Sequence, residues 1–197
     1  MSGGLVLFLV ALLLPLAWGV AAYNRFVLLR NRCENAFAQI DVQLRRRYDL
    51  IPNLVAATRG YLQHERRTLE AVIAARQRAS DASLEARAHP RDPQALDALE
   101  QAEAALAGPL SRLIALAESY PALQGDDTVR RLTDELTTTE NRITFARQAF
   151  NDQAAAYNTG VESFPASLIA SLFGFARTRM LRSVSTQAER QAVAVAL

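Results

Sequence analysis

Apolar residues fill the start of the chain without a break, and polar residues are scattered through everything that follows. The apolar run extends over the 18 residues from Leu5 to Ala22 and contains no charged residue. A helix of that length measures about 27 Å, close to the hydrocarbon thickness of a bilayer. The pattern predicts a transmembrane helix over residues 5–23, preceded by a short external N-terminus of residues 1–4.

A cleaved signal peptide is the alternative interpretation of this run. Residues 1–4 contain no Lys or Arg, although signal peptides normally begin with a basic region, and the apolar run is long for a signal peptide. The small residues Val20, Ala21 and Ala22 would nevertheless suit a cleavage site. Retention as an anchor is therefore the favoured prediction, with cleavage as its rival.

The arginines that follow the run predict its orientation. Arg25, Arg30 and Arg32 lie just after the span, and no basic residue precedes it. Basic residues near a span stay on the cytoplasmic side. We therefore expect a single-pass protein of the bacterial cytoplasmic (inner) membrane, with its N-terminus outside and the rest of the chain in the cytoplasm.

Beyond the span, apolar residues recur at helical spacing. Successive steps are three, four and four residues, an eleven-residue period that keeps an apolar stripe nearly straight along a helix. The stripe consists of Phe26, Leu29, Cys33, Phe37, Ile40, Leu44, Tyr48, Ile51 and Val55. It predicts one helix that leaves the membrane and is kinked at Pro52, because proline lacks a backbone donor and clashes with the preceding turn. The pattern resumes at Leu62, Leu69, Val72 and Ile73.

Turn residues divide the remaining chain into further helices. Asp92 and Pro93 predict the start of a second helix over 94–119, with a kink or short break at Gly108–Pro109. A third helix is predicted to begin at Asp126 or Asp127 and to end at 158–160, and a short apolar helix follows over 166–173. The predicted stripe of the third helix consists of Val129, Leu132, Leu136, Ile143, Ala146, Phe150, Ala154 and Tyr157.

The fold class predicted from these patterns is all-α. Between residues 24 and 160, Gly and Pro are sparse and Ala, Leu, Arg, Gln and Glu are abundant, which favours helices. We expect an antiparallel up-and-down helical bundle over residues 24–176. Residues 177–197 show no helical repeat and are expected to form a disordered tail, with disorder after about Arg182.

Four separated blocks resemble one protein family. They are AFAQIDVQLRRRYDLIPNLVAATRGYLQHE (36–65), AESYPAL (117–123), TENRITFARQAFN (139–151) and YNTGVESFPASLIASLFGF (157–175). Their order is similar to that of the LemA family, although Ala149 occupies a position where an aromatic residue is typical. The resemblance implies a bacterial, membrane-anchored antiparallel bundle whose biochemical role is generally unassigned. It supplies no catalytic residues.

Charge is distributed unevenly along the bundle. Residues 24–80 contain 11 Arg and 5 acidic residues, whereas residues 81–140 contain 5 Arg and 12 acidic residues. One interpretation is pairing between helices, which contributes little for each exposed pair. Another is contact between the basic residues near the bilayer and anionic lipid, at about 1 kcal/mol per well-placed Arg. Both interpretations can hold.

The chain has few residues suited to catalysis or metal binding. It contains one cysteine, Cys33, which excludes an internal disulfide; the thiol is either a buried small side chain or a palmitoylation site. His64 begins a HExxH-like pattern, but Thr68 occupies the second ligand position, and the other histidine is His89. We therefore predict no catalytic residue, no metal site and no cofactor. The basic residues lack interleaved aromatics, so no nucleic-acid partner is expected.

The sequence favours a non-catalytic interaction or scaffold module at the membrane, with an unknown protein partner. The alternative is an accessory or regulatory subunit of a membrane-bound enzyme such as a protease, and self-association into a homo-oligomer is left open. Around Pro52, Tyr48 and Asn53 either form a docking spot or support the kink, with Asn53 bonding the freed backbone. The candidate lipid or partner surface consists of Arg25, Arg30, Arg32, Arg45, Arg46, Tyr48 and Asn53.

Overall fold

The computed structural model describes residues 3–182, and within that range the chain is helical and contains no β-strand. The helices are α1 (Gly3–Thr58), α2 (Arg66–Ala88), α3 (Pro93–Ser119), α4 (Pro121–Gln124), α5 (Asp127–Glu162) and α6 (Ala166–Leu172), with a short 3₁₀ turn at Gln63–Glu65. The predicted all-α class is confirmed.

Helix α1 joins the apolar run and the first bundle helix in 56 consecutive residues. Its most apolar 18-residue window has a mean hydropathy of 2.6, and only 6% of that window is buried. Of the described helices, α1 is the one that is long and apolar enough to cross a membrane, although a signal sequence satisfies the same criteria. Because the described chain leaves this segment uncovered, its surface is suited to lipid rather than to a protein core.

The bundle consists of two antiparallel helix pairs. In the first pair, α1 packs along α5, and the rings of Phe37 and Phe150 lie 5.9 Å apart between them. At one end of this pair, a Cβ built on Gly160 would lie 3.2 Å from Cδ1 of Leu29, so the absence of a side chain permits close approach. In the second pair, α2 and α3 are joined by the turn at 89–92, where Arg91 forms an ion pair with Glu34 of α1 at 3.3 Å.

The predicted stripe on α1 forms the core. All nine of its members are buried, none more than 8% exposed, and they face α5 and α2. The stripe on α5 is buried too, except that Ala146 is only partly covered. Ile73 was predicted to continue the stripe, but it is 44% exposed because its neighbour Val72 takes the core position on α2.

Helix α1 is continuous through Pro52, where the sequence predicts a kink rather than an uninterrupted helix. The helix continues to Thr58, and the chain turns at Arg59 and Gly60. Proline at 52 removes the backbone donor that would bond the carbonyl of Tyr48. In its place, Nε of Arg76 on α2 donates to that carbonyl oxygen at 2.9 Å. Asn53, which the sequence suggested as the partner of the freed backbone, is exposed.

The other boundaries agree in part with the sequence. Asp92 caps α3 by accepting a hydrogen bond from the backbone of Gln94, and Asp126 caps α5 in the same way, as predicted. Helix α3 runs without a break through Pro109, and α4 was not predicted. Helix α5 continues to Glu162, beyond the predicted end at 158–160.

The side chain of Asn158, inside α5, binds the backbone of the chain that follows the helix. Its Nδ2 donates to the backbone oxygen of Thr178 at 2.9 Å, and its Oδ1 accepts from the Thr178 backbone N–H at 2.8 Å. Asn151 holds Leu181 by the same two bonds, each 2.8 Å. Residues 177–182 therefore lie along α5, beyond the predicted bundle boundary at 176 and before the onset of disorder expected after about Arg182. The rest of the predicted tail, 183–197, lies outside the described residues.

Candidate functional site

The end of the bundle nearest the apolar run forms the first candidate surface, which we call the membrane-facing end. It combines residues 19–32 of α1 with residues 160–177. Tyr23 packs edge-on against Phe173, with ring centroids 4.9 Å apart, and against Phe175, at 5.5 Å. Phe175 also lies 5.2 Å from the ring of Phe26. Aromatic packing thus joins the end of the predicted span to the chain that follows α5.

Three predicted lipid-contacting arginines lie at this end. Arg25 and Arg32 are exposed. Arg30 is half-buried, and its guanidinium carbon lies 5.8 Å from the centroid of the Phe175 ring, within the range of a cation–π contact. The geometry leaves Arg25 and Arg32 accessible to headgroups and gives Arg30 a packing role as well.

Residues 163–176 of the membrane-facing end contain no charged residue, and we call them the apolar segment. The apolar segment is flanked by Glu162 and Arg177, which form an ion pair at 2.6 Å. This ion pair brings the two ends of the segment together. Gly174 has a φ of 70°, in the left-handed region that favours glycine, and the chain turns back there towards the bundle. The segment therefore begins and ends at one place on the bundle and packs against it through Ala170 and Phe175.

A second feature is a cluster of charged side chains inside the bundle, formed by Arg47, Tyr48, Glu103, Glu140 and Arg147. The guanidinium of Arg47 pairs with both Glu103 and Glu140, and the side chains of Arg47 and Glu103 are 6% and 5% exposed. The Tyr48 hydroxyl donates to Oε1 of Glu103 at 2.7 Å. Arg147 approaches the same carboxylate at 3.5 Å. This buried charge cluster links α1, α3 and α5.

Burial and neighbouring charges raise the pKa of two groups in the buried charge cluster, Tyr48 and Arg47. Burial, followed by the neighbouring Glu103 carboxylate, raises the pKa of Tyr48 well above the ordinary tyrosine range. Burial opposes the charge on Arg47, but Glu103 and Glu140 outweigh it and raise the pKa of the guanidinium. Each charge has an opposite partner, as buried charges require. We interpret the cluster as a structural link that fixes the helices in register.

The sequence reasoning missed Arg47, Glu103 and Arg147, although a signal was available. Arg47 follows Leu44 by three residues and precedes Ile51 by four. Glu103 on α3 and Arg147 on α5 also lie at stripe spacing, each following a buried apolar residue by four residues and preceding another by three. A charged residue at the spacing of an apolar stripe, with an opposite charge on another stripe, indicates a buried ion pair.

Three of the remaining predicted site residues lie together on the outside of the bundle. Arg45, Arg46 and Asn53 line one surface groove of about 510 Å³, completed by Val42, Asp49, Leu50 and Glu135. Arg45 forms an ion pair with Asp41, and Arg46 with Glu135 at 3.4 Å. Tyr48 does not belong to this surface, because its ring is 2% exposed and its hydroxyl points to Glu103. The prediction that Tyr48 is displayed for docking is therefore wrong.

The cysteine and the histidines lie in separate places. Cys33 is 1% exposed, and burial, followed by the charge of Glu34, raises the pKa of its thiol. This confirms the interpretation of Cys33 as a small buried side chain. His64 and His89 lie beyond opposite ends of the 23-residue helix α2, about 35 Å apart, so they cannot share a metal ion.

Comparison with known proteins assigns the family. The family model described as the LemA family matches residues 36–197. The chain belongs to the LemA family. This LemA-family protein is similar to Magnetosome protein MamQ of Magnetospirillum gryphiswaldense, with 29% identity over 170 residues that cover 79% of this chain and 62% of the relative. It is similar to Magnetosome proteins MamQ 2 and MamQ 1 of Paramagnetospirillum magneticum, each with 29% identity over 171 residues and the same coverage.

The chain thus spans less than two thirds of the length of the curated relatives that it matches. Neither the family description nor the names of these relatives state an enzymatic activity. Together with the exposed apolar part of α1, the similarity identifies a membrane-associated protein whose biochemical role is poorly defined.

Proposed function

We propose that this LemA-family protein is a membrane-anchored scaffold that presents a helical bundle to a protein partner at a fixed distance from the bilayer. The observation that carries the proposal is the continuity of α1. Since the same helix forms the apolar run and the core of the bundle, the two parts cannot turn independently of each other. A rigid connection of this kind suits a protein that positions another molecule.

The orientation follows from the arginines beside the span. Arg25, Arg30 and Arg32 favour placement of the bundle in the cytoplasm, with the N-terminus outside the bacterial inner membrane. Arg25 and Arg32 are exposed at the membrane-facing end and suit anionic headgroups.

The groove lined by Arg45, Arg46 and Asn53 is the surface that we assign to the partner. It lies on the outer side of α1, and its exposed arginines are set beside the apolar Val42, which is 53% exposed. Charged side chains next to an exposed apolar residue allow electrostatic guidance of a partner and a contact that excludes water. Because Asp49 and Glu135 lie beside the arginines, the predicted partner carries a surface of mixed charge.

Photo-crosslinking in native membranes tests this assignment. A photoreactive residue replacing Asn53 should give a discrete protein adduct, and Arg46→Gln in the same chain should reduce its yield several-fold. The matched control places the photoreactive residue at Leu84, which is 58% exposed on α2. The same adducts from both positions, or a yield insensitive to Arg46→Gln, would contradict the groove.

The identity of the adduct separates the remaining alternatives. An adduct between two copies of this chain would indicate a homo-oligomer. An adduct with a membrane-bound enzyme, such as a protease, whose activity changes with Arg46→Gln, would favour a regulatory subunit over a scaffold.

A further inference from the structure

We propose that the apolar segment, residues 163–176, is a second membrane contact that inserts into the bilayer leaflet facing the bundle. This inference rests on the membrane anchoring by α1 proposed above. It assigns an additional, non-spanning contact to the chain between α5 and the C-terminal residues 177–182. The observation that supports this second membrane contact is the packing of α6 against the end of the apolar run.

The depth of α6 is set by its contact with α1. A Cβ built on Gly19 would lie 3.6 Å from Cδ1 of Ile169, so the two helices touch at this level. Gly19 lies three residues inside the end of the apolar run, or about 4.5 Å along the helix. Any bilayer position that places Leu5–Ala22 in hydrocarbon therefore brings α6 to the boundary between acyl chains and headgroups.

The side chains of the apolar segment suit this depth. Leu168 and Leu172 lie one helical turn apart on α6 and are 61% and 75% exposed, and Phe164, just before the helix, is 82% exposed. Phe173 adds a further ring that is 57% exposed. A contiguous apolar surface of this kind marks an interaction site.

Charge supports lipid as the occupant of this surface. Residues 163–176 contain no charged side chain, whereas Arg177 at the base and Arg25 on α1 are exposed beside it. An apolar surface bordered by arginines is the pattern of segments that lie in the interface of a membrane with anionic lipid. Because the apolar segment lies beside the end of the apolar run, it is within reach of the bilayer that the run would occupy.

Fluorescence quenching in vesicles tests the insertion. In the full chain carrying Trp18→Phe, the substitutions Leu168→Trp and Leu172→Trp each introduce a single tryptophan, because Trp18 is the only one in the sequence. In phosphatidylcholine vesicles with brominated acyl chains, both variants should be quenched several-fold more than Leu84→Trp, the control with similar exposure on α2. Aqueous acrylamide should produce the reverse order.

Failure of this inference can be distinguished from failure of the anchor. The unchanged chain reports through Trp18, which brominated lipid should quench if α1 lies in the bilayer. If Trp18 is quenched while the tryptophans at 168 and 172 respond only to acrylamide, the anchor holds and the insertion is overturned. Protection of 168 and 172 from both quenchers would also overturn it, in favour of a contact with a second copy. An unquenched Trp18 would overturn both proposals.

Discussion

At the scale of single residues, Arg76 explains how α1 tolerates a proline. Its Nε donates to the Tyr48 carbonyl, the acceptor that Pro52 leaves without its usual partner. Arg76→Met should therefore lower the free energy of unfolding by about 1–3 kcal/mol, the cost of an unsatisfied buried acceptor. Arg78→Met, at an exposed position on the same helix, should stay within about 0.5 kcal/mol. Chemical denaturation of the full chain in detergent measures both.

A double-mutant cycle isolates this bond from other roles of Arg76. Pro52→Ala restores a backbone N–H that can bond the Tyr48 carbonyl, so Arg76→Met should cost less in that background than in the native chain. Equal costs in the two backgrounds would show that Arg76 stabilises the bundle by some other contact.

Tyr48 should make stability depend on alkaline pH. Its folded-state pKa is raised, by burial first and then by Glu103, whereas the unfolded chain releases this proton near the ordinary tyrosine pKa of about 10. Above that pH the unfolded state binds fewer protons than the folded state, so the free energy of unfolding falls as pH rises. Tyr48→Phe should flatten this fall by up to about 1.4 kcal/mol per pH unit, as chemical denaturation at a series of alkaline pH values measures.

The same substitution has a cost at neutral pH. Tyr48→Phe removes a hydrogen bond to the buried Glu103 carboxylate, and bonds to charged groups contribute about 1.5–3 kcal/mol. Denaturation at pH 7 should show that loss. An unchanged stability at pH 7 would argue that Glu103 is satisfied by Arg47 and Arg147 alone.

At the scale of the helices, the seam of α1 can be tested with two neighbouring substitutions. Leu44 is 1% exposed, whereas the side chain of Arg46 is 51% exposed. Leu44→Ala should cost about 2–5 kcal/mol and lower the melting temperature by several degrees. Arg46→Ala should stay within about 0.5 kcal/mol. Thermal denaturation followed by circular dichroism compares the two, and equal shifts would mean that the seam lies elsewhere.

The sequence predicts the helices well and their ends less well, because the two depend on different information. The stripe at Phe37 and Ile40 is a local pattern, repeated every few residues, so it can be read from one segment. Inside α1 the Tyr48 carbonyl is bonded by Arg76, and inside α5 the side chain of Asn158 is bonded to Thr178, so both partners come from a distant part of the chain.

The same distinction applies to the candidate site. Arg45, Arg46 and Asn53 were predicted on the surface because polar residues between stripe positions face outward, and they line one groove. Tyr48 was misjudged because its partner, Glu103, is 55 residues away in sequence. Pairing between helices cannot be derived from the periodicity of one helix alone.

At the scale of the whole molecule, the orientation is open to a direct measurement. A reporter active only in the cytoplasm, fused after Leu197, should give signal, because Arg25, Arg30 and Arg32 favour a cytoplasmic bundle. A periplasm-specific reporter at the same position is the control. Signal from the periplasmic reporter alone would reverse the orientation.

Because α1 is continuous, a tilt of its apolar part in the bilayer also displaces the bundle. From residue 24 to Thr58 the helix measures about 52 Å, so a tilt of about 20° in the span would carry its far end about 18 Å sideways. Tilt increases as a bilayer becomes thinner than the apolar run. The lateral position of the far end of the bundle would then depend on membrane thickness. The distance from a label at that end to the bilayer surface, measured in short-chain and in long-chain lipid, can detect this displacement.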